Sequence, residues 1–218
     1  MTRRMLSVII LIFIAFASAA CDVSALPVLS QPAEPGSVLF SNDFANPDGG
    51  QGSQVHQGAG VTFEQGALHI GVAEPHYSYW WRSGRQFDDS QIRVDAWRVA
   101  GPEDNVMGII CRYQNENNFY AFLISSDGYG GIVKVKDGQY HLLTGETLEY
   151  IDAIKTGSDM NNIGADCVGR HLFMLVNDTL VAWAEDGGFS SGEVGLIAGS
   201  FDLPGVEIAF DNFVVLKP

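Results

Sequence analysis

The chain has 218 residues, 46% of them apolar and 17% charged, and its 26 acidic side chains outnumber 12 basic ones for a formal charge of −14. That length and apolar content suit one domain with a sizeable core and exclude a disordered or fibrous chain. So negative a field also excludes nucleic acid as a partner, because that binding rests on neutralising phosphates with Lys and Arg.

Residues 1–20 read as a secretory leader. Arg3 and Arg4 form its basic start, Val8–Phe16 its apolar middle, and Ala17-Ser18-Ala19-Ala20 its small-residue exit. The apolar run falls short of the ~20 residues that span a bilayer comfortably, although a retained membrane anchor is the alternative. Cys21 follows directly and resembles the lipidated cysteine of bacterial lipoprotein signals, with Ser18 standing where a Leu or Val is usual. That resemblance implies a protein lipid-anchored to the outer side of a membrane in the bacterial cell envelope; plain secretion is the other outcome. Residues 21–36 carry Pro27, Pro32 and Pro35 without apolar periodicity, which predicts an extended, semi-rigid linker ahead of a folded part over 37–218.

The folded part reads as strands throughout. Val38–Phe40 opens it, and Gly60–Phe63 and Ala67–Val72 flank the turn Glu64-Gln65-Gly66. Tyr77–Arg82 is aromatic, with Tyr77, Tyr79 and Trp81 on one face and Trp80 and Arg82 on the other. Ser90–Val99 alternates apolar and polar residues. Met107–Tyr113 and Phe119–Ser125, on either side of Gln114–Asn118, form the expected central hairpin. Ile132–Lys136 and Gln139–Leu143 follow, joined by Asp137-Gly138. Thr144–Met160 is the least strand-like interval, a short helical turn or an irregular crossing. Asn162–Val168, His171–Val176, Leu180–Glu185, Gly192–Ala198 and Val206–Leu216 complete the set, with Asn177-Asp178 suited to a tight turn. About a dozen short strands and no sustained helical period predict an all-β sandwich or barrel.

Apart from Cys21, the cysteines are Cys111 and Cys167, both in predicted strands. In an oxidising compartment they can form a disulfide; two buried thiols are the alternative.

Several stretches together resemble the concanavalin A-like (laminin-G/jelly-roll) sandwich domains of bacterial secreted proteins. They are Val38–Phe44, Gly108–Tyr113 with Phe119–Ile124, Asn161–Asn177, Ser191–Leu196 and Phe210–Val215. Within that fold the pattern is most similar to the 3-keto-disaccharide hydrolase-like domains. The resemblance spans roughly residues 37 to 217. It implies two facing antiparallel sheets, one concave and one convex, with the first and last strands side by side. It also implies that Asp43 and Asp211 approach each other, where a structural Ca²⁺ could sit; an Asp211 carboxylate capping a local turn is the plainer account. No other cofactor is expected.

Glycan hydrolysis needs two carboxylates flanking the scissile bond. The Glu-x-Asp-x-x-Glu strand of laminarinase-type glycanases of this fold is missing, and Asp88, Asp89, Glu185 and Glu146 are the nearest acidic candidates. No nucleophile elbow, zinc-protease or phosphate-loop motif occurs, and His56, His69, His76, His141 and His171 show no ligand spacing. A non-catalytic, extracellular carbohydrate- or polymer-binding role is therefore expected. A hydrolase or lyase for modified (3-keto) sugars, or a structural or adhesion domain without a small ligand, are the alternatives. Aromatic faces for stacking and a few polar anchors point to Arg112, Tyr120, Lys134 and Trp81 as ligand contacts. Arg112 is the least comfortable in an apolar run, so it should face a cleft or pair with a carboxylate.

Overall fold

The computed structural model describes residues 33–45, 54–55 and 60–218. The predicted leader, Cys21 and residues 21–32 of the linker lie outside the described residues, as does His56.

Among the described residues sixteen strands follow in order. They begin with β1 (Val38–Asn42), β2 (Gln54–Val55), β3 (Val61–Glu64), β4 (Ala67–Val72), β5 (Ser78–Phe87) and β6 (Ser90–Ala100). Next come β7 (Asn105–Asn115), β8 (Asn118–Ile124), β9 (Tyr129–Lys136), β10 (Gln139–Leu142) and β11 (Glu149–Tyr150). The last are β12 (Asn161–Val168), β13 (His171–Val176), β14 (Thr179–Glu185), β15 (Gly192–Ser200) and β16 (Val206–Leu216). They form two eight-stranded antiparallel sheets. The first runs β14-β13-β12-β6-β16-β4-β3 with β1 also on β16; the second runs β10-β9-β8-β7-β15-β5-β2 with β11 also on β9.

Local chemistry sets the turns. Gln65-Gly66, Asp137-Gly138 and Asn177-Asp178 each place two successive residues at positive φ, the geometry that matches the twist of a two-residue hairpin. The central hairpin is tighter than its sequence suggests: β7 reaches Asn115, which pairs with Asn118, leaving only Glu116-Asn117 between them. The Asn115 side chain makes this possible by accepting hydrogen bonds from the Asn117 backbone and the Asn118 amide, both at 3.0 Å. Thr144–Met160 holds no helix among its residues; its centre is the two-residue β11, paired with Tyr129 and Gly130 of β9.

The chain's two ends close the first sheet. Val206–Phe210 of β16 pairs with β4, and Phe213–Leu216 pairs with β1 along the same edge, across an irregularity at Asp211–Val214. The last residues of the predicted linker join this closure: Gly36 N–H donates to Lys217 O at 2.7 Å and Lys217 N–H to Ser37 O at 2.9 Å.

The main core lies between the sheets and is dominated by Ile, Leu, Val and Phe. Trp81 sits at its centre, packed edge-on against Phe44 at 5.2 Å and Phe213 at 5.5 Å between ring centroids. The Cys111–Cys167 disulfide ties β7 of the second sheet to β12 of the first through this core.

Candidate functional site

Strand β8 explains why the second sheet has a second apolar face. Tyr120, Phe122 and Ile124 point into the main core, and the alternate residues Phe119, Ala121 and Leu123 point outward. Outward-facing Val106, Ile110, Val133 and Ile197 on neighbouring strands extend the patch into a separate apolar cluster. A sheet face of this kind must be covered or must serve a purpose. It is partly covered: Leu142 and Leu148 overhang one side, Tyr77 and Phe201 the other.

Between these lips the face is hollowed into a cleft of about 710 Å³. Val106, Ala121, Leu123, Val133 and Ile197 supply its floor, and Tyr77, Trp80, Tyr140 and Phe201 its aromatic walls. Tyr140 is 62% exposed and Tyr77 52% exposed, so their rings are open to solvent at the rim. The polar groups are few and mostly engaged. His76 pairs with Asp202 at 3.3 Å, Ser200 Oγ donates to Glu74 O, and the Trp80 ring packs against Tyr113 with centroids 6.5 Å apart. Glu146 and Thr147 stand exposed at the lip. Among the described residues no Lys or Arg lines the cleft, and Glu146 is its only carboxylate.

The residues expected to contact a ligand lie elsewhere. Trp81 is fully buried in the main core, so it offers no stacking surface. Its neighbour Trp80, on the opposite face of β5, is the tryptophan at the cleft; strand parity separates the two, but an aromatic run does not reveal which side faces inward. Tyr77 departs from that parity because it precedes β5, and it reaches the cleft beside Trp80.

Arg112, Tyr120 and Lys134 are brought together, but at an end of the sandwich between the sheets. Arg112 should share a face with Ile110 by alternation. Instead it takes φ 51° within an irregularity of the β7–β8 pairing, which turns its side chain inward. There it is 1% exposed and fully used: Nε donates to Asp88 O, Nη1 to the carbonyls of Gly169 and Phe189, and Nη2 to Asp89 Oδ1 at 3.0 Å. Tyr120 Oη donates to Asp186 Oδ1 at 2.5 Å and accepts from Phe189 N–H at 3.1 Å. Lys134 Nζ reaches both oxygens of Asp186. Burial and the bond to Asp186 push the Tyr120 phenol up to about 12. Burial also raises the Asp186 carboxyl, but the donors Lys134, Tyr120 and Gly188 N–H outweigh it and hold it below the ordinary range. This cluster fastens the Asp186–Ser191 connection over the sandwich end and leaves no surface for a ligand.

Asp43 and Asp211, the expected calcium ligands, each cap their own backbone. Asp43 Oδ1 accepts from Ala45 N–H at 3.2 Å and Asp211 Oδ1 from Asn212 N–H at 2.6 Å. Among the described residues no group of three or more His, Cys, Asp or Glu could hold a metal ion. The acidic catalytic candidates are also dispersed: Asp89 serves Arg112, Glu185 pairs with Arg170 at 3.1 Å, and only Glu146 reaches the cleft.

The two sheets and their closure define the protein as a concanavalin A-like, galectin-like jelly-roll sandwich. The sequence matches no family model and no curated protein. Solved structures share the fold. The carbohydrate-binding module CBM66 from Bacillus subtilis superposes with a TM-score of 0.59 at 17% identity, over 77% of this chain and 96% of the module. A Bacillus licheniformis beta-glucanase gives 0.61 at 12% identity, over 82% and 97% of the two chains. A Bacillus subtilis protein of unknown function with a galectin-like fold gives 0.62 at 11% identity, over 84% and 97%.

Proposed function

We propose that this protein binds a carbohydrate polymer in the outer cleft of its second sheet without cleaving it, displayed at the bacterial surface on an N-terminal lipid. The observation that carries the reading is the cleft itself, open, walled by Tyr77, Trp80 and Tyr140, and holding a single carboxylate among the described residues. Sugar rings present C–H faces that stack on aromatic side chains, and exposed rim tyrosines supply such faces with little ordering cost. Hydrolysis by paired carboxylates needs a partner for Glu146 across the bond, and among the described residues no second acid lines the cleft. That structures of the same fold are named a carbohydrate-binding module and a beta-glucanase agrees with the ligand class.

The test is a glycan array followed by calorimetry on the protein and on Tyr140→Ala. Saturable binding to an uncharged polysaccharide, weakened at least tenfold by the substitution at unchanged melting temperature, is expected. Binding indifferent to Tyr140→Ala and Trp80→Ala would place the sugar elsewhere. New reducing ends appearing during incubation would overturn the non-catalytic assignment.

A further inference from the structure

The floor of the cleft narrows what it can hold, and the argument rests on the glycan reading above. An unmodified sugar carries a hydroxyl on almost every ring carbon, and each hydroxyl taken out of water needs a hydrogen-bond partner. Val106, Ala121, Leu123, Val133 and Ile197 offer none, and the Ser200 hydroxyl beside them is already bonded to Glu74 O. A ring laid on this floor would lose hydroxyl hydration without compensation, whereas a hydrocarbon group there would leave water at a gain proportional to its area. The rim has the opposite character, with two exposed tyrosine rings, the free carboxylate Glu146 and the Thr147 hydroxyl.

Charge removes the competing occupant. A free fatty acid would also suit an aliphatic floor, but its carboxylate needs a cation, and the cleft has no Lys or Arg among the described residues, bears Glu146 at its lip and belongs to a chain of charge −14. We infer that the ligand is an uncharged saccharide bearing an apolar substituent, such as an ester-linked acyl group. The substituent lies on the aliphatic floor, and the sugar ring stacks against Tyr140 or Tyr77 at the rim.

The probes are hexyl β-D-glucoside, glucose, hexanol and sodium hexanoate, titrated calorimetrically into the intact protein, its Tyr140→Ala variant and the floor-filling Ala121→Leu variant, each checked for an unchanged circular dichroism spectrum. The hexyl glucoside should bind at least tenfold more tightly than glucose and than hexanoate. Ala121→Leu should remove most of that preference, and Tyr140→Ala should weaken the glucoside but not hexanol. Should Ala121→Leu fail to fold, competition by hexanol against the glucoside on the wild-type protein reads the floor directly. Equal binding of glucose and hexyl glucoside would overturn the inference while leaving the glycan reading standing. Equal binding of hexanol and hexyl glucoside, insensitive to Tyr140→Ala, would overturn the glycan reading and leave only an apolar cleft. Absence of any binding would overturn both.

Discussion

Lys134 Nζ lies 2.7 and 2.8 Å from the two carboxylate oxygens of Asp186, although Lys134 is on β9 of the second sheet and Asp186 opens the connection that leaves β14 of the first. The lysine ammonium also stands 5.5 Å from the centre of the Phe189 ring, in the same connection. One carboxylate thus gathers a cation, the Tyr120 phenol and the Gly188 N–H, and the connection between β14 and β15 is held against the second sheet by charge-assisted bonds.

This clasp makes stability acid-sensitive. The Asp186 carboxyl is held below its ordinary value, so its contribution is complete above the unfolded pKa near 4 and is lost as pH falls through the folded value. Asp186→Asn should cost about 2 kcal/mol at pH 7, since the lysine and phenol lose a charged acceptor in a mostly buried setting. Urea denaturation at pH 7 and pH 3 checks this: the deficit should shrink at the lower pH. An equal deficit at both would show that the charge on Asp186 does not matter.

The same cluster shows what a sequence can and cannot disclose. The strands and the tight turns at Asp137-Gly138 and Asn177-Asp178 follow from alternation and turn chemistry, which act over a few residues, whereas the long-range pairing of β1 with β16 is implied only by the resemblance to jelly-roll domains. The inward turn of Arg112 depends on one left-handed residue in a strand, where Gly, Asn or Asp would be the ordinary signal and Arg is none. The cleft leaves no trace in the sequence for a related reason. β8 is apolar on both faces, as are its neighbours, so the pattern does not distinguish the inner face from the outer one. Tyr140 is a lone tyrosine in a short edge strand, and such a residue carries no pattern at all.

The Cys111–Cys167 bridge closes a loop with a sequence separation of 56 and joins the two sheets. On chain-entropy grounds, replacing both cysteines by alanine should lower stability by about 4 kcal/mol. Guanidinium unfolding of the oxidised protein and of the double variant measures it. A loss under about 1 kcal/mol would mean that the unfolded chain gains little freedom when the bridge is absent.

Arg112→Ala should behave as a core lesion. It removes four donated bonds and leaves the carbonyls of Gly169 and Phe189 without that partner, a loss of about 3 kcal/mol. Arg112→Lys should recover only part of it, because an ammonium cannot reproduce the planar fork. Ligand affinity per folded molecule should be unchanged in both, since Arg112 does not line the cleft. A binding defect in a variant of normal melting temperature would return Arg112 to the ligand site.

Trp80 and Trp81 give the most direct separation of packing from recognition. Trp81 fills the middle of the main core, so Trp81→Ala should cost about 4 kcal/mol or prevent folding, through the cavity it leaves. Trp80 stands on the other face of the strand, half-buried at the cleft wall, where it packs on Phe119 with ring centroids 6.1 Å apart. Trp80→Ala should therefore cost less stability and should weaken glycan binding at least tenfold, while Trp80→Phe should restore most of the stability and part of the binding. Thermal melts paired with calorimetric titrations of the three variants read both quantities. If Trp80→Ala bound the glycan as tightly as the wild type, the wall of the cleft would be ordinary packing, and the sugar would have to be sought on another surface.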